Sequence, residues 1–119
     1  MREFVYKILP AADWERARAL PEGVVPWAPV DHRDGFMHLS AGDQVRETAA
    51  AHFAGQSGLC VLEISVDDIA EGVLAWEPSR GGALFPHAYG QLPTAVVRRE
   101  GPLRWAKDRG FTFPDWLPE

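Results

Sequence analysis

Residues 34–40 read Asp34-Gly35-Phe36-Met37-His38-Leu39-Ser40, and these few positions hold a turn, a short strand, a ring nitrogen and a helix-start signal. Gly35 after Asp34 suits a turn, because glycine takes positive φ at no steric cost. Phe36 to Leu39 then predicts a strand. Strand side chains alternate between faces, so Met37 and Leu39 share one face while Phe36 and His38 share the other. If the apolar pair faces a core, His38 faces a cleft. Ser40, with Asp43 three residues on, fits the Ser-x-x-Asp start of a helix. A strand running straight into a helix would present backbone N–H groups and the positive end of the helix dipole to an anion beside His38 and Ser40.

Outward from this stretch, Ala41, Val45, Thr48, Ala49, His52 and Phe53 form one stripe of a predicted helix, with Asp43, Gln44, Arg46 and Glu47 on its wet face and Gly55 as its stop. His52 falls in the last turn, where the dipole favours an imidazole, and reads as structural. Leu59 to Val66 is almost continuously apolar and predicts a central strand covered on both faces. Upstream, Phe4, Tyr6 and Ile8 alternate along an opening strand that Pro10 ends. Ala11 to Leu20 predicts a helix burying Trp14 and Ala17, with Pro21 as its stop. Residues 21–33 hold three prolines and no periodicity, and predict a loop whose Trp27 either pins it to the core or lines a ligand site.

Downstream, residues 67–72 predict a single turn and Val73 to Trp76 a short strand with Trp76 in the core. Glu77-Pro78-Ser79-Arg80-Gly81-Gly82 reads as a polar turn. Pro86 demotes Phe85 to Gly90 to an edge strand or extended loop. Thr94 to Glu100 predicts the closing strand, and residues 101–119 a tail that packs Trp105 and Trp116 on the body without carrying chemistry. This order predicts one α+β domain over residues 1–119, with two main helices beside a mostly antiparallel sheet.

A length of 119 residues suits a single domain with its own core. No apolar run is long enough to span a bilayer, and the N-terminus lacks the apolar stretch and cleavage site of a signal peptide, so the expected location is the cytoplasm. Cys60 is the lone cysteine, which excludes a disulfide framework and a cysteine-rich zinc site and predicts a core thiol. A net charge of −5 argues against a broad basic face for duplex nucleic acid. The expected partner is therefore a small molecule.

The polar groups that recur beside apolar strands are His38, Ser40, Glu77, Ser79, Arg80, His87 and Tyr89. Together they would supply acid–base groups, a guanidinium clamp for an anion and a π surface, an inventory suited to a phosphorylated or nucleotide-like ligand. A hydrolytic triad from Ser79, a histidine and Glu77 lacks a nucleophile elbow. His32, His38 and His87 lack metal-ligand spacing, so no metal is expected. No Walker loop or dinucleotide fingerprint is present. The five tryptophans read as packing residues more than as a partner surface.

Asp34 to Ser40, Gln44-Val45, Thr48-Ala49, Trp76 to Gly82 and Phe85-Pro86-His87-Ala88-Tyr89-Gly90 together resemble, in order and spacing, the bacterial and plant family called domain of unknown function 952. The resemblance runs from Tyr6 to about Val97. Members of that family resemble in fold the ADP-ribosyltransferase group, whose split β-sheet holds NAD in a central cleft. The resemblance thus implies a split, mostly antiparallel sheet, NAD as ligand or cofactor, and glycosyl transfer of the ADP-ribosyl type. By that likeness His38 would bond the adenosine ribose, Tyr89 would lie near the nicotinamide, and Glu77 or Glu100 would contact the nicotinamide ribose. His38 and Glu77 are then the candidate catalytic residues, and Ser40, Ser79, Arg80, His87 and Tyr89 the candidate ligand contacts. Two rivals use the same cleft: a sensor without turnover, and an enzyme in which Arg80 and the two histidines grip a phosphorylated end.

Overall fold

The computed structural model describes residues 3–79 and 81–118. Its order is β1 (Phe4–Pro10), α1 (Ala11–Arg18), α2 (Pro29–Asp34), β2 (Met37–His38), β3 (Ser40–Ala41), α3 (Val45–His52), β4 (Leu59–Ser65), β5 (Leu74–Ser79), β6 (Ala83–Ala88), β7 (Val97–Ala106) and β8 (Gly110–Thr112). The strands form a five-stranded sheet, β3-β1-β4-β7-β8, and a three-stranded sheet, β2-β6-β5. Every ladder between these strands is antiparallel. The protein is a small α+β domain with a curled antiparallel sheet and few helices.

Residues 37–41 join the two sheets. Met37 and His38 pair with β6, and Ser40 and Ala41 pair with β1. Between them the Leu39 N–H donates to the Pro86 carbonyl at 3.1 Å. Proline has no N–H to return that bond, so the small-sheet ladder stops there and the chain crosses to the other sheet. Pro86 was expected to make its segment an edge, yet β6 is the central strand. The missing donor falls at the crossover, where no partner is needed.

One core fills the space between the sheets: Val5 and Leu9 from β1, Cys60, Leu62 and Ile64 from β4, and Met37, Leu39 and Ala88 from the small-sheet side. A second lies on the far face of the large sheet, where Tyr6, Ile8 and Val61 meet Val45 and Ala49 of α3. Strand β4 is buried along its whole length, as its apolar run predicts. Burial pushes the Cys60 thiol up to about 12, with Glu100 and Glu15 adding to it, so it is an inert core group.

Several expectations are corrected. Ser40 does not cap a helix. It lies in β3 opposite Tyr6, its hydroxyl donates to Thr48 Oγ1 at 3.1 Å, and α3 starts only at Val45. The Gln44 side chain accepts the Ala41 N–H at 2.9 Å and tightens the intervening turn. The positive end of α3 is thus displaced from the end of the His38 strand. Residues 29–34, expected in a loop, form α2, with Pro29 in its first turn and Gly35 closing it at φ 84°. Trp76 is exposed, because the β5–β6 hairpin extends past the core. The C-terminal region is no mere tail, since β7 continues to Ala106 and β8 adds an edge strand.

A Cβ built on Gly35 would meet no atom within 4 Å, so the cost of a side chain there is in the backbone alone. Gly35→Ala is expected to lose about 1–2 kcal/mol, read from the urea midpoint, through the left-handed conformation it forces on alanine.

Candidate functional site

The site is built on Asp31, a residue the sequence reading passed over. It is the third residue of α2 and is fully buried, and its carboxylate accepts four hydrogen bonds: from Lys7 Nζ at 2.6 Å, the Ala28 N–H at 2.8 Å, the His38 N–H at 3.0 Å and the His38 ring Nδ1 at 2.7 Å. Burial alone would push its carboxyl up. The Lys7 ammonium and the bonds from His38 outweigh that and hold it below the usual carboxylate range. Lys7 reaches Asp31 from β1, where its stem lies on the same face as Val5 and Leu9, and Nζ also donates to the His38 carbonyl at 3.2 Å. His38 is therefore gripped through its N–H, its C=O and one ring nitrogen.

The other ring nitrogen, Nε2, lies 3.0 Å from Asp34 Oδ2. Asp34 is paired in turn with Arg33, whose Nε donates at 3.0 Å and holds the Asp34 carboxyl below its ordinary range. His38, Asp34 and Arg33 line a cavity of about 610 Å³ between β1, α2 and α3, together with Tyr6, Lys7, Ile8, Ala28, Pro29, Val30, Ser40, Thr48, His52, Phe53 and Ser79. The Tyr6 hydroxyl on that wall is pushed up, first by burial and then by the Glu63 carboxylate that accepts its hydrogen bond at 2.9 Å.

The remaining predicted residues sit on the neighbouring face of the small sheet. In the β2-β6-β5 register His38 stands opposite His87, and His87 opposite Ala75. Alternation then puts Phe36, His38, His87, Tyr89, Glu77 and Ser79 on one face, away from the core-facing Met37, Ala88 and Leu74. His87 Nδ1 and the Tyr89 hydroxyl both approach Glu77 Oε1 at 2.7 Å. These two bonds, the His87 one first, hold the Glu77 carboxyl low, and Glu77 in return pushes the Tyr89 hydroxyl up. Phe36 stacks on His87 at 4.1 Å and touches the rings of His38 and Tyr89.

The predicted set thus divides in two. His38, Ser40 and Ser79 line the cavity, while Glu77, His87 and Tyr89 form a bonded cluster beside it, joined to it through His38 and Phe36. Arg80 lies outside the described residues. Glu100 accepts hydrogen bonds from the Trp14 indole and Arg18, tying α1 to β7, and takes no part in the cavity. Sequence reasoning missed Lys7, Asp31 and Arg33. The available signals for Asp31 were local: Pro29, then Asp31, then Gly35, an acidic residue in the first turn of a short helix with a glycine stop.

The family comparison agrees with the residue pattern that carried the resemblance. A model described as "Protein of unknown function (DUF952)" matches residues 8–100. The chain belongs to the DUF952 family. This DUF952 chain is similar to the X-ray crystal structure of protein CC0527 from Caulobacter crescentus, 43% identical over 92% of this chain and 93% of that one, with a TM-score of 0.81. It is also similar to the solution NMR structure of CC0527, at 45% identity over 91% and 90% of the two chains, with a TM-score of 0.76. No curated protein matches the chain. Among the described residues, no helix is long and apolar enough to cross a membrane.

Proposed function

We propose that the cavity binds an anionic small molecule, a nucleotide or another phosphorylated compound with NAD as the leading candidate, and that His38 is the group that contacts it. The observation that carries this reading is the way His38 is held. A buried Lys7–Asp31 pair is a poor device for stability, because desolvating two charges offsets most of their attraction. Here the pair fixes one ring so that Nδ1 is locked and Nε2 faces the cavity. The wall carries the Lys7 ammonium, paired with Asp31, and the Arg33 guanidinium, paired with Asp34 near the surface, so an anionic ligand would compete with Asp34 for Arg33. The Asp34 carboxylate, between Arg33 and His38, marks where a ligand oxyanion would dock.

ADP-ribosyl transfer, implied by the family's likeness to ADP-ribosyltransferases, is the enzymatic form of this reading. It needs a carboxylate near the ribose carbon that loses nicotinamide. Glu100 is tied to Trp14 and Arg18 away from the cavity, whereas Glu77 stands beside it on His87 and Tyr89, so Glu77 is the glutamate that would take this role. A sensor without turnover would use the same cavity, and release of nicotinamide from NAD separates the two.

The test is a thermal-shift titration with NAD, ADP-ribose, nicotinamide and inorganic phosphate on the native chain and on His38→Ala. NAD or ADP-ribose is expected to raise the midpoint, by about 2.7 kcal/mol of stability at a hundredfold excess over Kd, and His38→Ala to abolish the rise. A folded protein that responds to none of the four would overturn the reading.

A further inference from the structure

The rings of His38 and His87 stand opposite each other on β2 and β6, with centroids 5.6 Å apart and planes at 66°. Each is held through Nδ1 against a carboxylate at 2.7 Å, Asp31 for His38 and Glu77 for His87. The surroundings of the two Nε2 atoms differ. His38 Nε2 lies 3.0 Å from a second carboxylate, Asp34, a setting suited to an N–H on this nitrogen. His87 is 4% exposed, and its buried Nε2 has no hydrogen-bond partner among the described residues. A charged N–H buried without an acceptor costs far more than a bare lone pair, so with Nδ1–H given to Glu77 the His87 Nε2 is an acceptor. One histidine offers a proton and its neighbour a lone pair.

We propose that His87 and His38 form a general base and general acid for phosphoryl transfer from a phosphodiester. This rests on the reading of the His38 cavity as the ligand site and adds a reaction to it. In the step, the oxygen of water or an alcohol attacks phosphorus, and His87 Nε2 takes its proton as the new O–P bond forms. His38 Nε2–H gives its proton to the departing ester oxygen as the old P–O bond breaks, and Asp34 yields its place to that oxygen. The phosphoryl group ends on the nucleophile and the ester oxygen leaves as an alcohol. Proton exchange with solvent then restores the pair. No metal or redox partner is required. Arg33, paired with Asp34 on the cavity wall, is placed to take the phosphate when Asp34 yields. Phe36 stacks on His87 directly after the Gly35 turn, so the proposed step requires this ring to move before the substrate can reach the base.

The test uses the full chain and two readouts. Imidazole ¹⁵N NMR is expected to find both His38 nitrogens protonated and His87 protonated at Nδ1 alone. Bis(4-nitrophenyl) phosphate is expected to be cleaved, with a loss of about a hundredfold in each of His38→Gln and His87→Gln while circular dichroism stays native. A proton on His87 Nε2, or equal turnover in His87→Gln, overturns the proposal. Binding of ADP-ribose or phosphate without cleavage also overturns it, yet leaves the proposed cavity standing. Absence of both binding and cleavage removes the two together, and cleavage without NAD or ADP-ribose binding supports the pair and confines the failure to the ligand class.

Discussion

Replacing Asp31 with alanine is expected to lower the stability of the domain by about 3–5 kcal/mol in urea unfolding, because it leaves the Lys7 ammonium buried without its counter-charge. The same change strips the acceptor from the N–H groups of Ala28 and His38. The double variant Lys7→Met/Asp31→Leu removes both charges and is expected to be less destabilised than Asp31→Ala, with a residue of damage from those two N–H groups. The pH dependence has a definite sign. The folded Asp31 carboxyl lies below its unfolded value of about 3.9, so its contribution is fully present above that value and is lost as pH falls through the lower folded one. The stability gap between native protein and Asp31→Asn should therefore narrow on acidification below about pH 4. A loss under about 1 kcal/mol in Asp31→Ala at neutral pH would mean that Lys7 finds water or another partner, and that His38 is not held as described.

The parts of this site that were legible in the sequence are those set by local alternation. Phe36, Met37, His38 and Leu39 have faces dictated by strand geometry, and the core-facing pair is buried while His38 lines the cavity. The apolar run of β4 and the stripes of α1 and α3 were readable for the same reason. What escaped depends on pairing across the chain. Lys7 looks like the polar member of an alternating strand, and its burial is explained by bonds to residues far along the chain, Asp31 24 positions away and the His38 carbonyl. Helix α2 has six residues, too few to display a period, so its prolines dominated the reading. Ser40 matched a local helix-start pattern, but pairing with β1 outcompeted it. Pro86 breaks the rule that keeps proline out of central strands, and it does so where β2 leaves the ladder and no bond is asked of its nitrogen.

Leu39→Ala separates the scaffold from the site, and its effect follows from the same alternation. Leu39 is almost fully buried in the core between the sheets, directly between His38 and Ser40. Truncating it removes buried methyl groups and leaves a cavity, at an expected cost of about 2–5 kcal/mol. The bond from its N–H to Pro86 survives, since alanine keeps that donor. His38 does not rely on the Leu39 side chain for its position: its N–H and ring are tied to Asp31 and its carbonyl to Lys7. In the folded fraction of Leu39→Ala the His38 imidazole resonances should therefore stay where they are in the native protein, whereas Asp31→Asn should move them without creating a cavity. A Leu39→Ala protein that shifts those resonances as far as Asp31→Asn does would show that core packing, and not the Lys7–Asp31 grip, orients the ring.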